Sequence, residues 1–99
     1  MIVELLRETR KIVGSGWTQR AWAKDKNGKF VSEGDPTAVC WCLSGALSLA
    51  KERLGASEEV FVGAYNLLSR RSGCRVVMFN DAPERTKEEV LDQVIVRLV

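Results

Sequence analysis

Apolar side chains fall at Ile2, Leu5, Leu6, Ile12 and Val13 with Thr9 in register, while Glu4, Arg7, Glu8, Arg10 and Lys11 take the remaining positions. That three-and-four spacing predicts an amphipathic helix from Ile2 to Val13. Gly14-Ser15-Gly16 ends it with residues free to adopt positive φ. Between Trp17 and Gly34 the helical period is lost, and Asn27-Gly28 marks a hairpin turn. An isolated hairpin is marginal in water, so Trp22, Phe30 and Val31 are expected against helices.

Asp35-Pro36 has the form of an N-cap followed by proline at the first helical position, which predicts a second helix from there to Arg53-Leu54, with Gly55 beyond its end. Its apolar residues, from Ala38 and Val39 through Cys42, Leu43, Leu47 and Ala50, cover more than one face, which marks a central helix. Ser57 caps a third helix with Glu58 and Glu59 in its first turn, a Val60, Phe61, Ala64, Leu67, Leu68 stripe, and Gly73 at its end. Cys74 to Phe79 is a short apolar, β-branched run, open between a buried strand and an extended connection. Asn80-Asp81-Ala82-Pro83 is turn chemistry. Thr86 and Glu89 then form a capping box ahead of a last helix with Val90, Leu91, Val94, Ile95 and Leu98 as its buried stripe.

The expected fold is therefore α+β and mostly α. Four helices pack around the central apolar one, with a small β-hairpin and Arg75–Phe79 as the candidate third strand. Ninety-nine residues suffice for a single compact domain, 1–99, because a second core would leave each half too small to fold unaided.

Composition narrows the chemistry. The chain has no histidine, which removes the commonest general base and a frequent metal ligand. A net charge of +2 from 15 basic and 13 acidic residues argues against nucleic acid as the default partner. No apolar run approaches the ~18 residues a membrane span needs. Three cysteines and no leader-like start predict a reducing, cytoplasmic location.

Cys40-Trp41-Cys42 invites metal or redox readings, but on the expected helix positions i and i+2 point about 200° apart, which leaves the cysteines as small buried hydrophobes. Neither a metal nor a cofactor is expected. Asn80 and Asp81 are either turn-closing side chains or the polar lining of a pocket with an aromatic wall. Trp17, Thr18 and Gln19, together with Trp22, are surplus to a small core and are candidates for a binding surface. Arg20, Lys24, Lys26 and Lys29 flank Trp22 and Phe30, a pattern also found in single-strand binders, but Asp25 and Glu33 interrupt it and favour a solvated face.

Gly16-Trp17-Thr18-Gln19, the run Ala38-Val39-Cys40-Trp41-Cys42-Leu43-Ser44-Gly45-Ala46, and Phe79-Asn80-Asp81-Ala82-Pro83 ahead of the last helix carry a resemblance over nearly the whole chain. The chain resembles a family of small bacterial and phage proteins of unknown function, whose pattern has Gly-Trp-Thr, Ala-Val-Cys-Trp and Trp-Asn-Asp motifs. Phe79 departs from it, placing a ring without an indole donor where tryptophan is typical. The resemblance implies a small protein of phage or mobile-element character, and such proteins often act by binding a host component, including immune complexes.

Three functions are expected from these features. The first is non-enzymatic binding that inhibits or modulates a host protein or protein complex of defence type, in the manner of an anti-CRISPR protein, by a monomer or homodimer. The second is a pocket for a small polar ligand, acting as sponge or sensor, in which Trp17, Gln19, Asn80 and Asp81 orient the ligand. The third is a histidine-free hydrolase with Asp81 as base and Cys42 or Ser44 nearby.

Overall fold

The computed structural model describes residues 1–94. Five helices and a small three-stranded antiparallel sheet follow in the order α1 (Ile2–Ser15), β1 (Ala23–Lys24), β2 (Phe30–Val31), β3 (Cys40–Trp41), α2 (Leu43–Leu54), α3 (Glu58–Ser72), α4 (Val76–Asp81) and α5 (Lys87–Gln93) among the described residues. The fold is α+β and mostly α. No helix among the described residues is long and apolar enough to cross a membrane.

The amphipathic stripe of α1 buries Leu5, Leu6, Thr9, Ile12 and Val13 against the neighbouring helices, α2 foremost. The Thr9 hydroxyl satisfies itself by donating to the Leu5 carbonyl (2.7 Å). Helix α2 is central: Leu43, Ala46, Leu47, Leu49 and Ala50 are buried, and it packs against α1, α3, α4 and β3. Gly55 (φ 62°) and Gly73 (φ 74°) take the left-handed conformation that closes α2 and α3.

Three expectations need correction. Helix α2 starts at Leu43, not at Asp35-Pro36. The Asp35 carboxylate accepts from the Thr37 N–H and hydroxyl, which closes one local turn, and the chain then extends so that Cys40 and Trp41 pair with Lys24 and Ala23. Non-local pairing captures residues that local capping signals assign to a helix. The third strand is therefore Cys40–Trp41, whereas the Arg75–Phe79 run forms most of the short helix α4. Gly16 stands at φ 178°, an ordinary extended conformation, because the helix continues to Ser15. Glycine is needed there for a different reason: a Cβ would collide with the Val39 carbonyl oxygen.

The register pairs Ala23 with Val31 and Trp41, and Lys24 with Phe30 and Cys40. Pleating sends the first set inward and the second outward. Ala23 and Trp41 are buried accordingly, and Val31 packs against the core. Trp22 and Phe30 do not lie against helices as expected; they are 56% and 67% exposed.

The final capping box forms as its sequence pattern requires. Thr86 Oγ1 accepts from the Glu89 N–H (3.2 Å) and Glu89 Oε1 accepts from the Thr86 N–H (2.9 Å). The Thr86 N–H foremost, with the Thr86 hydroxyl donating to the same Oε1 and the Arg85 guanidinium close by, holds the Glu89 carboxyl below its ordinary pKa. Thr86→Ala is expected to destabilise the protein by about 1 kcal/mol, measured as a lower denaturant midpoint at unchanged m-value. Val90 and Val94 are buried and Leu91 packs on the core, whereas Ile95 and Leu98 lie outside the described residues.

Candidate functional site

The chain leaves α1 through Gly16, whose carbonyl accepts from the Trp41 N–H (2.9 Å), while the Thr18 N–H donates to the Trp41 carbonyl (3.1 Å). Residues 16–18 are thereby held parallel to β3, with a Trp17–Trp41 bridge. Helix α4 brings Asn80 under this segment.

Asn80 is fully buried, and its amide group makes four hydrogen bonds. Oδ1 accepts from the Trp17 indole N–H (2.7 Å) and from the Leu43 N–H at the start of α2 (3.0 Å). Nδ2 donates to the Thr18 carbonyl (3.1 Å) and to Asp81 Oδ1 (2.9 Å). Gln19 Nε2 donates to the carbonyls of Asn80 and Ala82 (both 2.9 Å), which satisfies the C-terminal end of α4. Trp17, Thr18, Gln19, Asn80 and Asp81 therefore meet in space. An amide can make four strong hydrogen bonds, and Asn80 spends all of them inside the protein. Trp17, Gln19 and Asn80 thus form the joint that locks the entry segment, α2 and α4 together, not the wall of a ligand pocket.

Phe79, where the resembled pattern has tryptophan, is buried under the Arg85 guanidinium, which lies 3.8 Å from the ring centroid. Arg85 Nε donates to the Phe79 carbonyl (2.8 Å) and its Nη1 pairs with Glu89 (3.2 Å), tying α4 to α5. A ring face covered by a cation needs no indole donor.

Asp81 faces the other way. Its Oδ1 also accepts from the Arg20 N–H (3.0 Å), which holds Arg20 at φ 63°, the one non-glycine residue at positive φ among those described. That conformation is uncommon for a residue with a Cβ. Beside it opens a cleft of about 530 Å³ lined by Arg20, Trp22, Cys42, Ser44, Val77 and Asp81. Of the sequence candidates, Arg20, Trp22 and Asp81 line this cleft. Lys24 lies farther along the sheet, with its ammonium 5.6 Å from the Phe30 ring centroid. Val77 was not anticipated, yet Val77 and Asp81 are spaced i, i+4 on α4, which would expose the pair once that segment is read as helix.

Cys40-Trp41-Cys42 looks different from the expected helix. Cys40 is in β3 and Cys42 is the N-cap of α2, so the opposed-faces argument does not apply. The Cys42 sulfur accepts from the Gly45 N–H (3.2 Å). Burial raises the Cys42 thiol pKa, with the Asp81 charge adding to the rise, so the sulfur stays protonated as a cap and is a poor nucleophile. Although Asp81, Cys42 and Ser44 line one cleft, no hydrogen bond joins the carboxylate to the thiol or to the hydroxyl.

Residues 2–94 match the profile of a family of unknown function, DUF6197. The chain belongs to the DUF6197 family. No curated protein and no solved structure matches it.

Proposed function

We propose that this DUF6197 chain is a non-catalytic binding protein that docks stoichiometrically on an acidic surface of a host protein complex through the outer face of its sheet. The observation that carries this reading is the exposure of Trp22 and Phe30 beside Lys24. Large aromatics are normally buried, and an exposed pair rimmed by polar groups marks an interaction surface. The Lys24 ammonium lies 5.6 Å from the Phe30 ring centroid, and Arg20, Lys26 and Lys29 add positive charge along the same stretch of chain, against Asp25 and Glu33. Asp25 is the acidic neighbour, and its Oδ1 closes the hairpin by accepting from the Asn27 and Lys29 N–H groups (both 2.9 Å). Tryptophan and arginine dominate interface hot spots, and a cationic rim steers association with an acidic partner.

The partner we infer is a host defence-type complex, which the chain would inhibit or modulate in the manner of a phage or mobile-element anti-CRISPR protein, in the reducing cytoplasm. A partner is captured on the immobilised protein from nuclease-treated bacterial extract, and binding is repeated with purified components. The expected result is a saturable complex of fixed stoichiometry that weakens with salt. The double variant Trp22→Ala/Phe30→Ala should lose at least about 30-fold in affinity, the loss of one hot-spot side chain, with little change in melting temperature. Retention of full affinity by that variant overturns the reading, and so does binding abolished by nuclease, which assigns the face to nucleic acid.

A further inference from the structure

The cleft beside α4 holds polar groups that the protein itself leaves unused. Ser44 is only 5% exposed, and its Oγ is enclosed without a hydrogen-bond partner. Buried hydroxyls are nearly always paired, because an unpaired one forfeits its hydration for nothing in return. The neighbouring backbone donors are already satisfied: Leu43 N–H by Asn80, Gly45 N–H by the Cys42 sulfur and Ala46 N–H by the Cys42 carbonyl (2.8 Å). Three of the N–H groups at the start of α2 are thus already bonded within the protein, and the Ser44 hydroxyl is without a partner.

Two opposite charges border the same cleft. Asp81 Oδ1 is occupied by the Arg20 and Asn80 N–H groups, and Oδ2 takes no hydrogen bond from the described residues. The Arg20 guanidinium is exposed and forms no ion pair with Asp81. Trp22 and Val77 supply apolar walls. A volume of about 530 Å³, mostly apolar and with a few convergent polar groups, is that of a small-molecule site.

The geometry points to a binding site for a free α-amino acid with an apolar side chain. Asp81 Oδ2 takes the ammonium, Arg20 the carboxylate, and the Ser44 hydroxyl gains a partner in the ligand's polar head. The ligand side chain lies against Trp22 and Val77. This site overlaps the proposed docking face at Trp22, but Lys24 and Phe30 are outside the cleft and Ser44 and Asp81 are outside that face, so Phe30→Ala tests the docking reading alone and Ser44→Ala the ligand reading alone.

The test is an NMR titration of the whole protein with L-leucine, following the Trp22 indole and Val77 methyl resonances. Saturable shifts confined to the cleft are expected. N-acetyl-L-leucine and L-leucinamide, each lacking one charge, should bind roughly tenfold or more weakly, the loss of one charge-assisted hydrogen bond. Arg20→Gln and Asp81→Asn should each weaken leucine binding by a similar factor, and the exposed Arg20 side chain can be changed without disturbing the core. Ser44→Ala separates ligand from fold: its melting temperature should hold or rise, because no internal hydrogen bond is lost, while leucine binding weakens. Absence of saturable shifts in the wild type overturns the proposal. So does equal binding of the blocked derivatives, or an unchanged titration in Ser44→Ala.

Discussion

Asn80→Leu is expected to destabilise the protein by about 3–5 kcal/mol, because each buried polar group deprived of its partner costs about 1–3 kcal/mol. The substitution is close in size but removes both ends of the amide. It orphans the Trp17 indole N–H, the Leu43 N–H and the Thr18 carbonyl, the first and last part-buried and the second buried. Typical domains hold only about 5–15 kcal/mol in total, so the variant sits near the edge of folding. The measurement is thermal unfolding by circular dichroism, where a loss of this size lowers the midpoint by roughly 15–30 °C in a domain this small. Asn80→Asp is the sharper probe. It keeps the shape and the Oδ1 acceptor, but turns the Nδ2 donor into an oxygen facing the Thr18 carbonyl and the Asp81 carboxylate. A variant as stable as the wild type in both cases would sink the account of Asn80 as the joint.

The second large effect is at Gly45, inside the first turn of α2. Glycine to alanine within a helix ordinarily stabilises by about 0.5–1 kcal/mol. Here the added Cβ would collide with the Trp22 carbonyl, a backbone atom that also accepts from the Cys42 N–H (3.2 Å). Nothing flexible can move aside, so α2 must lift from β1. Gly45→Ala is expected to lower stability by about 2–3 kcal/mol, the usual cost of overpacking. Gly14→Ala is the internal comparison. Gly14 is also helical, its Cβ would meet nothing within 4 Å, and the substitution should stabilise. Equilibrium urea unfolding of the two variants reads both signs, and the same sign for both would refute the close-approach argument.

Local chemistry carried much of this fold. The stripe of α1, the Ser57 cap, the left-handed Gly55 and Gly73, and the Thr86–Glu89 box all arise from residues within a turn or two of one another. What sequence missed was set at a distance. Asp35-Pro36 is a sound cap signal, but Cys40 and Trp41 are claimed by hydrogen bonds to β1. Val76-Val77-Met78 has strand propensity. Its helix is anchored from outside, by Gln19 and Arg85 on the carbonyls of Phe79, Asn80 and Ala82.

The candidate site divides along the same line. Trp17, Gln19, Asn80 and Asp81 were marked out as a group by residue type, and they do meet. Their roles depend on where each hydrogen bond goes, and no spacing in the chain reveals that Asn80 exhausts its amide internally while Asp81 keeps one oxygen free. Residue type marks Ser44 only as a hydroxyl near Asp81, since being unpartnered is a property of its surroundings.

Trp17 and Asn80 are 63 positions apart, which imposes an order on assembly as well as a strength. A chain made from its N-terminus exposes the Trp17 segment and the start of α2 long before the residue that joins them has been synthesised. Until then the Trp17 indole and the Leu43 amide lack the acceptor that Asn80 supplies. With α4 in place Asn80 ties the Trp17 segment to the start of α2, so this six-residue helix acts as a late latch between them.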